Sequence, residues 1–178
     1  AGRSPMGRGL IRRAHSYIQR GNRRRLRLLL GKHPELYQSN EARLLDYAIW
    51  HNRSMVTWLL DRGAPVDGPP GNFGCTPLLN VVGEGDLPMI DLLLRRGADP
   101  NAVTDDSETP LGFAVAWRQA GAIGRLLAAG ADPNRIGDYG PDFTHLDQAL
   151  LMDWPEGAER LRAAGAKRFS ELAASAEP

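Results

Sequence analysis

The chain lacks the features that mark several protein classes. Its 178 residues include one cysteine, Cys75, which excludes an internal disulfide and favours a reducing compartment. Its apolar runs are only a few residues long, so no membrane span is predicted. The opening residues AGRSPMGRG are small, polar and basic without an apolar stretch, so no signal peptide is expected. These absences together favour a cytoplasmic protein.

Acidic residues are missing from the first 34 positions, which contain ten Lys and Arg. The rest of the chain holds twelve basic and twenty-one acidic side chains, so the net charge of +1 conceals a basic start and an acidic remainder. A basic patch of Arg20, Arg23, Arg24 and Arg27 recurs at i, i+3, i+4 and i+7, and one helix would present all four on one face. The patch is interpreted as the solvated face of a terminal unit. Docking of an acidic protein, a polyanion or another copy of the chain stays open.

Two short motifs return at a spacing of 33 residues. Residues 76–78, Thr-Pro-Leu, recur at 109–111, and residues 97–101, Gly-Ala-Asp-Pro-Asn, recur at 130–134. Two motifs with one period indicate a stack of supersecondary units. The period, and the Thr-Pro-Leu that opens a helix, resemble the ankyrin repeat. The resemblance implies an all-α repeat solenoid of helix pairs with short β-hairpin-like fingers, sometimes classed as α+β.

Weaker copies extend the resemblance over most of the chain. Gly63-Ala64 lies 34 residues before Gly97, and Gly165-Ala166 lies 35 residues after Gly130. His145 occupies the proline position of the last Thr-Pro-Leu copy. A single domain over residues 1–172 is therefore predicted, with degenerate terminal repeats that cap the stack and a frayed tail over 173–178. The five repeats are expected at about 6–38, 39–71, 72–104, 105–137 and 138–172.

The repeated residues have physical roles. Each motif threonine should cap a first helix, and the proline after it suits the first helical position, where no N–H partner is needed. Gly97 and Gly130 should end second helices in the left-handed conformation. Trp58 falls at a leucine position and is predicted to lie in the core, and Trp154 is predicted to cover the end of the core.

The resemblance implies that a partner contacts the finger tips and the exposed inner face of the first helices. Large aromatic residues are not needed for stacking there, and they dominate binding hot spots, so an aromatic strip rimmed by carboxylates is predicted. Alternatively, some of these rings fill gaps between imperfect repeats. A partner with a basic or arginine-bearing surface would fit the strip. The candidate partner-binding residues are Trp50, His51, Phe73, Cys75, Glu84, Asp106, Glu108, Trp117, Tyr139 and Phe143, and Leu151 occupies an equivalent first-helix position.

No arrangement for catalysis is found. The four histidines, His15, His33, His51 and His145, fall in different repeats without metal-ligand spacing, so neither a metal nor a cofactor is predicted. Residues 83–85, Gly-Glu-Gly, lack the Lys and Ser or Thr of a phosphate loop and are interpreted as an interhelix turn.

A non-catalytic protein–protein interaction module is therefore predicted, monomeric or weakly self-associating. In small bacterial proteins of this kind the resemblance implies an adaptor, inhibitor or toxin-neutralising role. A GC-rich bacterial source is favoured because Arg, Ala and Gly are abundant relative to Lys. The alternative function is polyanion or nucleic-acid binding through the arginine-rich first repeat. It is less favoured because no aromatic residues accompany the arginines and the remainder is acidic.

Overall fold

Residues 7–39, 43–68, 75–136 and 140–176 are described by the computed structural model. Eleven α-helices and one 3-10 helix account for the regular structure of these ranges, and they contain no β-strand, only an isolated antiparallel bridge between Ile136 and Thr144. The α-helices are α1 (Arg8–Gln19), α2 (Arg23–Lys32), α3 (Leu44–His51), α4 (Arg53–Leu60), α5 (Pro77–Gly83), α6 (Leu87–Arg95), α7 (Pro110–Ala116), α8 (Ala120–Ala128), α9 (His145–Leu151), α10 (Pro155–Ala163) and α11 (Phe169–Ala176). The 3-10 helix spans Pro34–Gln38.

The chain divides into two compact units, Ala1–Gly71 and Asn72–Pro178. In the first unit α1 pairs with α2, α3 pairs with α4, and α1 packs against α3. In the second unit the pairs are α5–α6, α7–α8 and α9–α10. The first helices α5, α7 and α9 pack in one row and the second helices α6, α8 and α10 in another, which gives this unit two layers. The predicted single domain and its repeat boundaries stay predictions.

Threonine caps begin the first helices of the second unit, as predicted. Thr76 Oγ1 accepts a hydrogen bond from the Leu79 N–H at 3.3 Å, and Thr109 Oγ1 accepts one from the Gly112 N–H at 3.0 Å. The proline after each threonine takes the first helical position. Since each cap satisfies an N–H that has no partner inside the helix, the motif sets the residue at which the helix begins.

The Gly-Ala-Asp-Pro-Asn motifs end the second helices and join neighbouring repeats. Gly97 and Gly130 have φ angles of +87° and +94°, in the left-handed region that was predicted. Asn101 Nδ2 donates to the Gly130 carbonyl at 2.9 Å, and its Oδ1 accepts from the Asp132 N–H at 2.9 Å. Asn134 makes the equivalent bonds one repeat later, at 3.2 and 2.8 Å. The asparagine side chain therefore ties each of these repeats to the next.

The core consists of aliphatic side chains, with two tryptophans that were correctly predicted to be buried. Trp58 is 7% exposed and Trp154 is 8% exposed. The Trp154 ring lies so close to Gly157 that a Cβ atom there would meet a ring carbon at 2.2 Å. The largest fully buried side chains are Ile18, Leu26, Leu36, Met55 and Leu59 in the first unit and Leu78, Leu79, Ile90, Leu93, Leu111, Ile123 and Leu126 in the second.

Helix α11 follows the last helix pair and is held by the Asp147 carboxylate, which accepts hydrogen bonds from the Phe169 N–H at 2.8 Å and from Arg168 Nε at 2.9 Å. The same side chain forms a capping box with Thr144. Burial by itself would raise the pKa of Asp147, but the hydrogen bonds from Phe169, Arg168 and Thr144 outweigh it and lower that pKa. Residues 173–176, expected to belong to a frayed tail, are helical.

Candidate functional site

Three residues lie at the C-terminal ends of neighbouring first helices in the second unit. Glu84 directly follows α5, Trp117 directly follows α7, and Leu151 is the last residue of α9. Because α7 packs against both α5 and α9, the three residues form a series that we call the helix-end row. Trp117 is 63% exposed and Leu151 is 73% exposed, and Glu84 is also exposed.

The side chains of the two residues after Trp117 tie this segment to the helix pairs on both sides. Toward α5, Gln119 Nε2 donates to the Gly83 carbonyl at 3.2 Å, and a Cβ atom on Gly83 would lie 4.0 Å from the Trp117 ring. Toward α9, Arg118 Nη2 donates to the Met152 carbonyl at 2.5 Å. The exposed indole therefore projects from a well-anchored segment.

The acidic finger residues Asp106 and Glu108 precede α7 and so lie at the end of this helix opposite Trp117. The Thr104 N–H donates to the Glu108 carbonyl at 3.0 Å, and the Glu108 N–H donates to Thr104 Oγ1 at 3.1 Å. This closed turn leaves Asp106 exposed at its tip. The seven residues of α7, about 10 Å at 1.5 Å per residue, separate the finger from Trp117. The structure therefore does not bring Asp106 and Glu108 into the helix-end row.

In the first unit, Trp50 and His51 are the last two residues of α3, and the His51 ring belongs to an aromatic stack. The rings of His15 and Tyr47 stack at 3.8 Å, and those of Tyr47 and His51 at 3.9 Å, with interplanar angles of 1° and 5°. Trp50 is 54% exposed. Sequence reasoning missed Tyr47, although its spacing of four residues from His51 on one helix could have indicated the contact. No local pattern indicates His15, which lies on α1.

The remaining predicted residues are not assembled into one surface by the described part of the chain. Cys75 and Phe143 are partly buried. Phe73 and Tyr139 lie outside the described residues. Their assignment to a partner-binding strip stays a prediction.

The predicted basic patch does not share one helix, so the expectation of a single face from Arg20 to Arg27 is wrong. Arg20 is the C-cap of α1, and Gly21 follows it with a φ angle of +63°. Asn22 then starts a new helix, because its side chain accepts a hydrogen bond from the Arg25 N–H at 3.1 Å. The other three arginines of the patch lie on α2.

The family comparison identifies the repeats. The family model described as "Ankyrin repeats (many copies)" matches residues 44–94 and 81–127. Residues 44–127 of this chain therefore match ankyrin repeats. Its fold class is accordingly the predicted all-α repeat solenoid. Ankyrin repeats are a non-catalytic fold that generally mediates protein–protein interaction.

Curated relatives match short stretches of this chain. Palmitoyltransferase ZDHHC13 of Homo sapiens is 36% identical over 72 residues, which is 40% of this chain and 12% of that protein. Ankyrin repeat protein nuc-2 of Neurospora crassa is 38% identical over 63 residues, which is 35% of this chain and 6% of that protein. The palmitoyltransferase matches cover ankyrin sequence and not the catalytic domain. These relatives are eukaryotic, so they do not support the bacterial source that composition favoured.

Among the helices described, none combines the length and the apolar character that crossing a bilayer requires. Nor do the described residues include a group of three or more His, Cys, Asp or Glu placed to hold a metal ion. His145 is buried, with its Nε2 3.4 Å from Thr109 Oγ1, where it joins two neighbouring repeats.

Proposed function

We propose that this chain is a non-catalytic protein–protein interaction module whose partner contacts Trp117 in the helix-end row. The exposure of Trp117 carries the proposal, because a large indole is held in solvent on a segment whose next two side chains bond to the neighbouring helix pairs. Tryptophan is among the residues most enriched in binding hot spots. A preorganised segment also loses little conformational freedom when it binds.

A partner with a basic surface fits the chemistry of the helix-end row. Trp117 offers apolar surface, and Glu84 ends the neighbouring helix α5, so an arginine side chain could stack on the indole and pair with the acid. Leu151 adds apolar surface at the end of α9, on the other side of α7. The exposed finger aspartate, Asp106, adds long-range attraction for a basic protein. Trp50 supplies a further exposed ring in the first unit. We expect an interface of about 800 Å² on each partner.

The cellular role that fits such a module is that of an adaptor, an inhibitor or a toxin-neutralising protein, acting in the cytoplasm. Binding of a polyanion or nucleic acid by the basic first repeat is the second candidate. The exposed arginines of α2 support it. Salt separates the two candidates. Raising the salt concentration from about 0.1 M to about 1 M shortens the screening length from about 10 Å to about 3 Å, which weakens phosphate contacts far more than apolar ones.

The test is capture of a partner from the native cell lysate by the wild-type chain and by Trp117→Ala. We expect the variant to lose at least about 2 kcal/mol of binding free energy, a factor of roughly 30, because truncation removes a hot-spot ring. Its unfolding midpoint should stay close to that of the wild type, since the side chain is mostly exposed.

Leu28→Ala is the matched control. It removes another exposed apolar side chain, 59% exposed on α2, and should not change capture. Equal capture by the Trp117→Ala variant and the wild type would contradict the proposal. Unfolding of that variant would instead assign Trp117 a structural role.

A further inference from the structure

Arginine side chains surround a cleft of about 290 Å³ in the first unit. Arg23, Arg24 and Arg27 line it from α2, and Trp58 and Arg62 line it from α4 and the turn that follows. None of these lining residues is acidic. Four guanidinium groups therefore share a space no larger than a small ligand pocket.

Two of the four arginines are held in place by neighbouring groups. The Arg62 guanidinium carbon lies 4.0 Å from the centre of the Trp58 ring, and Arg62 Nη1 donates to the Trp58 carbonyl at 3.2 Å. Arg23 Nη2 donates to the Ser54 carbonyl at 3.3 Å, which connects α2 to α4. These contacts hold one lining side chain of α2 and one of the turn after α4, while other N–H donors of both guanidinium groups stay available.

The other two arginines are exposed and carry uncompensated charge. The side chains of Arg24 and Arg27 make no hydrogen bond or ion pair with any residue in the described ranges. Like charges gathered in one cleft repel one another, and a bound anion would relieve that repulsion. The arrangement therefore favours an anionic ligand that can accept several hydrogen bonds at once.

We propose that this cleft binds a phosphate monoester carried by a side chain of a partner protein. A phosphate monoester has close to two negative charges and three strong acceptor oxygens, and guanidinium groups bind it through paired hydrogen bonds. Arginine clusters are a recurring means of recognising phosphorylated motifs. The cleft volume suits one such group at a time. The cleft shares no residue with the helix-end row, so the two proposals can be tested independently.

The same geometry disfavours a nucleic-acid chain. Single strands bind sequence-independently by stacking bases on exposed aromatic rings. Trp58, the aromatic residue that lines this cleft, is buried and Arg62 lies over its ring. The acidic remainder of the chain would also repel a long polyphosphate.

The experiment is an NMR titration of the full chain that follows the arginine Nε–H signals. The probes are the peptide acetyl-Gly-Gly-phosphoserine-Gly-Gly-amide, its unphosphorylated form and its glutamate form. We expect the phosphopeptide to shift Arg24, Arg27 and Arg62 saturably, at least about tenfold more tightly than the glutamate peptide, because it carries more charge and more acceptor oxygens. Absence of saturable shifts at these residues would overturn the proposal.

A pair of double variants separates a defined site from general positive charge. Arg24→Gln/Arg27→Gln should lower the affinity for the phosphopeptide by at least about tenfold, the loss of roughly one charge-assisted hydrogen bond or more. Arg12→Gln/Arg13→Gln removes the same charge from exposed positions on α1 and should keep the affinity within about twofold. Circular dichroism checks that both variants are folded.

Two further outcomes would overturn the assignment. Equal losses in the two double variants would show that only net charge matters. Tighter binding of a thymidine tetranucleotide than of the phosphopeptide, with shifts at the same arginines, would show that the cleft belongs to a nucleic-acid interface.

Discussion

Tryptophans occupy two contrasting environments in this molecule. Trp50 and Trp117 are more than half exposed, whereas Trp58 and Trp154 are almost completely buried. Burial of an indole removes a large apolar area from water, which stabilises the fold when the ring packs inside the chain and stabilises a complex when a partner covers it. Substitution of Trp117 should therefore act on binding, and substitution of Trp154 should act on folding.

Two helical glycines provide a direct test of packing at the residue scale. Gly157→Ala should destabilise the protein by about 1–3 kcal/mol, because the new methyl group would overlap the Trp154 ring and force it to move. Gly124→Ala is the matched control. A Cβ atom there would find only Arg160 Nη1, at 3.9 Å, and alanine favours the helix, so it should stabilise by about 0.4–1 kcal/mol.

Urea unfolding followed by circular dichroism measures both glycine changes. The packing interpretation fails if the two variants have the same unfolding free energy. It also fails if Gly157→Ala is the more stable of the two.

At the scale of elements, the Asp147 carboxylate ties the start of α11 to α9. Asp147 accepts hydrogen bonds from Phe169 and Arg168, at the start of this helix, and from its own capping threonine. Asp147→Asn removes the charge and part of this acceptor capacity. We expect a loss of about 1–3 kcal/mol, since hydrogen bonds to a charged group are among the stronger ones.

Hydrogen exchange should show that the amides of α11 lose protection first in Asp147→Asn. Asp106→Asn makes the same chemical change at an exposed finger tip and should leave stability within about 0.5 kcal/mol. Equal effects of the two variants would contradict a special role for Asp147.

The same carboxylate predicts a dependence on pH. The pKa of Asp147 is lowered in the folded state, so the folded chain holds this proton less tightly than the unfolded chain does. Its stabilisation is therefore complete above the ordinary aspartate pKa of about 3.9 and is lost as the pH falls through the lower folded value. The stability difference between wild type and Asp147→Asn should shrink below about pH 4 in urea unfolding. A difference that grows toward acid pH would contradict this sign.

At the scale of the whole molecule, stacking should make stability uneven. In the second unit α7 and α8 have helix pairs on both sides, whereas α5–α6 and α9–α10 each pack against one such pair within the unit. In repeat proteins, stability comes from the interfaces between neighbours. Amide hydrogen exchange should therefore be slowest in α7 and α8 and faster in α10 and α11. Slower exchange in α11 than in α7 would contradict this order.

Much of the fold could be predicted from the sequence because the residues responsible act locally. Thr76 and Thr109 cap helices through an N–H only three residues away, and Gly97 and Gly130 end helices through their own φ angles. Such effects need no knowledge of distant parts of the chain. The 33-residue period then placed these local features in equivalent units.

The site was predicted less completely because it depends on where helices end and what they pack against. Trp50 and Trp117 are exposed, and their assignment to a partner-binding surface stays a prediction. The grouping of Arg20 with the arginines of α2 was wrong because Gly21 breaks the helix between them. A periodicity of 3.6 residues predicts a shared face only while the helix continues. Because the helix ends before Gly21, Arg20 does not share a helical face with the arginines of α2.

The sequence by itself determined the repeat period, the helix starts and ends at its motifs, and the separation of a basic first segment from an acidic remainder. Tertiary structure alone decided the contacts between residues about 30 or more positions apart. These include the Asn101 bridge to Gly130, the stack of His15 on Tyr47, and the approach of Arg62 to the arginines of α2. The physical reason is range, because caps and turns act within about four residues, whereas these contacts form only when packed helices bring distant side chains together.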